Sequence, residues 1–257
     1  MIVAPAAVTL SALNGVPMVA PGDDLSAMLL SACHANGLSL QDGDIVVLAQ
    51  KIISKAEGRA VPLASVSPSA EAIDLAAQCH KDPRLVELIL SESEKLMRVR
   101  PGVLIVRHRL GLVLANAGID QSNIAQDGDG VALLLPLDPD GSAAALRRAV
   151  REALGIDIAV VIIDSLGRAW RKGTCGVAIG VAGMSGLLDL RGAPDLHGRP
   201  LQTSELGLAD EVAAAASLIM GQAGEGRPIV VARGIARGRN EGSAAELIRE
   251  PAMDLFP

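Results

Sequence analysis

Aromatic residues are almost missing from this chain: one Trp, one Phe and no Tyr stand among 257 residues. Nucleic-acid platforms that stack bases need aromatic faces, which argues against that class. The shortage also obliges the core to be built from Ala, Val, Leu and Ile. Basic charge is not in excess either, since 23 Lys and Arg face 29 Asp and Glu for a net charge of -6. No general basic footprint exists for nucleic acid or an anionic membrane. Cys33, Cys79 and Cys175 are scattered without a CxxC, and an odd count of this kind reads as reduced thiols in a cytoplasmic protein. No apolar stretch approaches the roughly 20 residues of a membrane span. The first 22 residues carry no side-chain charge, yet they lack a basic n-region, and Pro5, Asn14, Gly15 and Pro17 break the run. They read as a first strand and a loop rather than a signal peptide.

What is present is apolar mass: 50% of the residues are hydrophobic, enough for one large domain or two small intertwined ones. Asp23 and Asp24 precede "LSAMLLSACHANG", an N-capped helix that ends at Gly37. Runs at 44–49, 103–106, 110–118, 131–138, 158–164, 175–183 and 228–234 read as strands. Helices are expected over 69–80, 141–155 and 206–221, with a short one at 243–249. Strands alternate with helices, but without a clean βαβ rhythm, so the expected class is α/β of a mixed, α+β kind. There is no internal repeat or low-complexity tract, and only a polar, Pro-containing loop near 60–70 resembles a linker.

Three features could carry chemistry. Asp120 follows "LANAGI" and Asp164 follows "VVII", each where an apolar strand leaves the core. Carboxylates there face the crevice beyond a sheet, and two of them could hold a divalent cation, with Ser165, Asn123 and Gln222 completing an oxygen shell. Taken alone, either one is more simply a turn-forming Asp at a strand exit. Cations come second: Lys51 and Lys55 follow one strand, and Arg168, Arg171 and Lys172 follow another. Beside metal carboxylates they would suit bound phosphates; on their own they describe a solvated turn. Third, "MGQAGEGR" (220–227) can present backbone N–H groups to an anion through Gly221, Gly224 and Gly226, although a helix cap plus a turn explains it as well. No GxxxxGK[ST] occurs, nor a GxGxxG after a strand. His197, in "DLHGRP", is the one histidine placed where a ligand could reach it, and no Ser/His/Asp or Cys/His arrangement can be defended.

The stretches "LAQKIISKAEGR", "LANAGIDQSN", "IIDSLGRAWRKGTCGVAIG" and "DLHGRPLQTSELGLADEVAAAASLIMGQAGEGRPIVVARG" occur in the order seen in the coenzyme F420-0:L-glutamate ligases. The resemblance covers roughly Val16 to Gly234. It implies an enzyme that uses GTP with Mg²⁺ or Mn²⁺, often with K⁺, to join L-glutamate to the terminal carboxylate of F420-0, a deazaflavin. Later glutamates would be joined through γ-carboxylates, with GDP and phosphate released. It implies small-molecule substrates, no nucleic acid and no membrane, and a fold of mixed sheets with flanking helices in an intertwined homodimer. A single ligase domain over 1–257 is expected, without the C-terminal nitroreductase-like domain of some relatives, because the chain stops at Pro257.

By the same resemblance the metal ligands are Asp120, Asp164, Ser165 and Gln222, with Ser165 standing where many relatives carry Thr. GTP contacts fall on Val16, Pro17, Met18 and Val19, on Gln50, Lys51, Lys55 and Asn123. They continue over Met220, Gly221, Ala223, Gly224, Glu225, Gly226 and Arg227. Arg168, Arg171 and Lys172 are assigned the holding of phosphates or of the acidic substrate tail during catalysis. Two other readings stay open: an NTP-dependent ligase for a different acid, and a nucleotide-binding homologue without turnover. Intact Asp120, Asp164 and Gln222 speak against the second.

Overall fold

Caps and apolar runs divide the chain into its elements. The computed structural model describes residues 7–121, 130–238 and 241–253. Strand β1 (Thr9–Ala12) leads to helix α1 (Leu25–Ala35), capped by the Asp24 carboxylate, which accepts from the N–H groups of Ser26 and Ala27. β2 (Ile45–Ala49) passes into α2 (Gln50–Ala56) with no intervening loop. β3 (Ala60–Pro62) comes next, then α3 (Ala70–Cys79) and α4 (Pro83–Ser91), capped by Ser69 and Asp82. β4 (Ser93–Arg100), β5 (Val103–His108) and β6 (Val113–Ala115) form an antiparallel meander. β7 (Val131–Leu133) precedes α5 (Pro139–Leu154), which Asp138 caps and Gly155 closes at φ 70°. β8 (Ala159–Arg168) and β9 (Arg171–Ala182) make a long hairpin. β10 (Leu188–Asp189) and β11 (Glu205–Leu206) pair as a short ribbon. α6 (Leu208–Met220) and β12 (Ile229–Arg233) follow, and a 3-10 turn lies at Ala244–Leu247.

The central sheet has the order β1-β12-β2-β8-β9. β2 and β8 run parallel, and the other neighbours are antiparallel. Its inner strands are continuous apolar runs because both faces are covered. On one face Val46, Leu48, Val160 and Ile162 pack against α1, α2 and α5. On the other, Ile45, Val47, Val161 and Ile163 pack against α6. A third core, with Leu75, Val86, Ile89, Leu104 and Val106, lies between α3, α4 and the meander.

The mixed α/β class expected from the sequence is the class observed. Several elements differ in extent. The expected strand at 131–138 is paired only over Val131–Leu133. The run at 110–118 breaks after Ala115 into a left-handed turn at Asn116, Ala117 and Gly118, with φ of 52°, 54° and 67°. The strand expected to end at Asp164 continues to Arg168. α2, α4 and β4 carried no clear signal of their own, α2 because it begins where the strand stops.

Candidate functional site

Strand direction gathers the site at one edge of the central sheet. β2 ends there, Ala49 opposite Ile163, while β8 runs on beside β9 to Arg168, and antiparallel β12 begins there, Ile229 opposite Leu48. The N–H of Ala49 donates to Pro228 O at 2.9 Å, so the 220–227 loop hangs beside the start of α2. The 13–22 segment crosses the same edge, pinned by Leu13 N–H to Ile229 O (2.9 Å) and Gly22 N–H to Ala56 O (2.8 Å). Val16 and Val19 lean on the core, whereas Pro17 and Met18 are exposed.

Asp164 belongs to this edge because of the two-residue alternation of a strand. Val160, Ile162 and Leu166 point to the α2 face, and Asp164 shares their parity. There it receives a hydrogen bond from Gln50, and its Oδ1 accepts from the Ser165 N–H at 2.8 Å. Ser165 reaches the carboxylate through its backbone N–H, while its side chain has the opposite parity on the strand. Asp120 arrives from the other side. The left-handed turn at 116–118 reverses the chain after β6, and the Asn116 side chain fixes it by accepting from Leu104 N–H at 3.1 Å. Gly118 stands at φ 67°, where an L side chain is strained, and a β-carbon there would press on the Leu135 side chain at 2.9 Å. Asp120 is then clamped through both of its backbone groups to Leu133 (3.0 and 2.8 Å). Its carboxylate forms an ion pair with Lys51 on α2.

The charges act on one another. Asp164 is only partly accessible, and burial raises its pKa, with the nearby negative charge of Asp120 adding to the rise. The Ser165 N–H, Lys51 and Gln50 oppose it. Burial lowers the Lys55 pKa, as does the charge of Lys51, while Asp120 works the other way. Two mutually repelling carboxylates offer oxygen ligands of the kind that fit a hard divalent cation such as Mg²⁺ or Mn²⁺. Among the described residues no group of three or more His, Cys, Asp or Glu could hold a metal ion. A cation at Asp120 and Asp164 would therefore draw further oxygens from hydroxyl, amide, phosphate or water.

The remaining expected residues are placed as follows. Gln222 is exposed, and its backbone N–H donates to the Glu225 carboxylate. Glu225 also accepts from Ala223 N–H at 2.8 Å, which folds the glycine-rich loop onto itself and lowers the Glu225 pKa. Gly221 caps α6 at φ 83°, and Gly224, Gly226 and Arg227 are exposed. Asn123 lies outside the described residues. Arg168, Arg171 and Lys172 are exposed on the β8/β9 hairpin, with Arg168 donating to the carbonyls of Lys172 (3.3 Å) and Gly173 (3.5 Å). Arg168 is four strand residues beyond Asp164, about 13 Å at 3.3 Å per residue. Within one copy of the chain the hairpin carries these cations away from the carboxylates. Ser54 was not singled out by the sequence. It is fully buried and donates to Gln50 Oε1 at 2.9 Å. Its four-residue spacing from Gln50 becomes a signal only once α2 is known to be a helix.

Comparison with known proteins gives consistent matches. The family model for F420-0:Gamma-glutamyl ligase matches residues 15–234. The chain is 47% identical over 251 residues to the coenzyme F420:L-glutamate ligase of Methanothermobacter thermautotrophicus, covering 97% of this chain and 98% of that one. Identity to the Methanopyrus kandleri protein of the same name is 44% over 242 residues, 93% of each chain. With that of Archaeoglobus fulgidus it is 41% over 244 residues, 95% of this chain and 94% of the relative.

Proposed function

Since the chain belongs to the F420-0:gamma-glutamyl ligase family, we propose that it joins L-glutamate to F420-0 at the expense of GTP. Mg²⁺ or Mn²⁺ is the proposed cation, with K⁺ as an additional ion and a homodimer as the working form. The observation that carries the reading is the meeting of Asp120, Lys51 and Asp164 at the sheet edge, beside a glycine-rich loop.

The chemistry asks for such a site. A carboxylate is a poor electrophile. Its oxygen attacks the γ-phosphorus of GTP, the bond to the β-phosphate oxygen breaks, and GDP leaves. The resulting acyl phosphate is attacked at carbon by the glutamate amine. The carbon–oxygen bond breaks, phosphate departs, and the amine loses a proton as the amide forms. The first step brings two anions together, so positive charge must be fixed in place beforehand. Lys51 and Lys55 supply it from adjacent turns of α2, one turn apart on the same face. Asp120 and Asp164 would hold the divalent cation, which when bound supplies further neutralisation of phosphate oxygens. The 220–227 loop already holds one anion, the Glu225 carboxylate, on the N–H groups of Gln222 and Ala223, and phosphate would take its place there; the 16–19 segment lies over the same edge. Arg168, Arg171 and Lys172 are proposed for the acidic substrate tail or the phosphates.

The test is one incubation of purified protein with F420-0, L-glutamate, Mn²⁺ and either GTP or ATP, read by product mass and released phosphate. A ladder in glutamate steps with GTP is expected. Phosphate release without a ladder would move the reading to another acceptor, and neither product from folded protein would defeat the ligase reading.

A further inference from the structure

Gln50 is the first residue of α2 and only 2% exposed. A side chain so enclosed is badly placed to meet a nucleotide arriving from solvent. Its amide is instead engaged at both ends. Oε1 accepts from the Ser54 hydroxyl at 2.9 Å, and the other end donates to the Asp164 carboxylate. Ser54 lies one helical turn further on, at 0% exposure, on the same face of α2.

The chemistry of an amide makes this chain directional. A Gln side chain has one accepting and one donating end of nearly equal shape. Turned the wrong way, it would set a carbonyl oxygen against a carboxylate. The Ser54 hydroxyl has a hydrogen to give to Oε1, and that bond turns the NH₂ toward Asp164. Removal of the hydroxyl leaves a buried carbonyl oxygen unsatisfied and the amide free to choose.

We propose that Ser54, acting through Gln50, is a positioning residue that fixes the direction of the Asp164 carboxylate. The main task of the Gln50 side chain is then to orient this carboxylate rather than to bind nucleotide. The inference rests on the reading of Asp164 as a metal ligand, and partners behind ligands of this kind commonly contribute about 10- to 100-fold in metal affinity.

The experiment is Mn²⁺ binding by full-length protein without nucleotide, read from the electron paramagnetic resonance of the free aquo ion and paired with kcat and KM for GTP. Ser54→Ala and Gln50→Met are each expected to weaken Mn²⁺ binding about 10-fold and to lower kcat more than they raise KM. In the Gln50→Met background, Ser54→Ala should add less than about two-fold, because the two act as one unit. Ser54→Thr keeps the hydroxyl and should stay within about two-fold of the parent, as judged by the same scale. Unchanged Mn²⁺ affinity in Ser54→Ala overturns the proposal, and so does a full additional loss in the Gln50→Met background. If Ser54→Ala does not fold, Gln50→Met and Ser54→Thr decide instead: the first must lose affinity and the second must keep it. A parent protein that binds no Mn²⁺ removes the metal reading and this inference together, an outcome distinct from a parent that binds and a variant that does not care.

Discussion

Two glycines in β9 set how closely the helices can lie on the central sheet. A β-carbon on Gly176 would overlap the Ala213 carbonyl oxygen of α6, and one on Gly180 would stand 2.5 Å from Pro139 O of α5. Both obstacles are backbone, which cannot rotate aside as a side chain can. Gly176→Ala therefore forces α6 away from the sheet and should cost about 1–3 kcal/mol, the usual range for overpacking. A shift of the thermal midpoint with unchanged far-ultraviolet circular dichroism would show it, and an unshifted midpoint would mean that α6 slides freely. Asp164 obeys the opposite logic. Its charge is crowded by protein and by Asp120, so removing it relieves the fold while it disables the site. Asp164→Asn should melt no lower than the parent and lose at least about 100-fold in kcat, roughly 2.7 kcal/mol of barrier. A variant that keeps its turnover would take Asp164 out of the site.

At the next scale, one side chain fastens the α3–α4–meander unit to the rest. Glu92, at the end of α4, receives Arg59 at 2.7 Å and Arg109 at 3.2 Å, and His108 Nε2 faces it at the longer distance of 3.4 Å. The His108 Nδ1 accepts from Leu110 N–H, which leaves the proton on the nitrogen facing Glu92. The two arginines continue to the carbonyls of Leu135, Pro136 and Leu137, so the α2–β3 link, the end of β5 and the chain after β7 meet at one carboxylate. Burial alone would raise the Glu92 pKa; the His108 ring facing it, the hydrogen bond from Arg59 and the arginine charges outweigh burial and hold it at about 2, against an ordinary 4.5. A depressed carboxyl pKa stabilises the fold above the ordinary value and ceases to do so as pH falls from 4.5 through about 2. The shift corresponds to about 3 kcal/mol. Glu92→Gln should lose about that much at neutral pH, and its deficit against the parent should shrink across the acid window in denaturant titrations. A constant deficit at every pH would assign the loss to packing. This junction also marks where the sequence stopped being readable. Its members are 33 and 17 residues from Glu92 along the chain, and no local pattern pairs them. Elements with caps and regular spacing were legible: α1 behind Asp24, α5 between Asp138 and Gly155, the apolar runs of β2, β8 and β12. α2 was not, because "QKIISK" follows its strand without a turn residue and is rich in β-branched side chains. Missing α2 hid the Gln50–Ser54 pair, although Lys51, Asp120 and Asp164 had been marked. The left-handed turn at 116–118 was equally hidden, since an Ala at φ 54° is a choice made by tertiary packing rather than by propensity.

For the molecule as a whole, the place of the single tryptophan is the feature that demands a cause. In a chain with almost no aromatic surface, Trp170 sits at the tip of the β8/β9 hairpin, 91% exposed and at φ 61°. A bulky residue in a left-handed turn costs free energy, and so does an indole in water. The root of the hairpin lies on α6 at Ala213 and Ser217, and the next residue, Leu218, is 81% exposed. An arm that carries a large apolar tip past an exposed leucine suits burial against a second copy of the chain, as the proposed homodimer requires. Because Trp170 is the one indole, its fluorescence reports the arm directly. At micromolar concentration the emission should be shifted to the blue of a solvated indole, and sedimentation should give about twice the chain mass of 26.3 kDa. Dilution through the dissociation range should move both together, because both follow the same association equilibrium. Trp170→Ser should weaken the dimer while leaving circular dichroism unchanged, since among the described residues of its own chain none encloses the ring. A solvated emission at every concentration, with a mass of one chain, would leave the arm free in solution and make its three cations a flexible tether for an acidic tail rather than part of a fixed pocket.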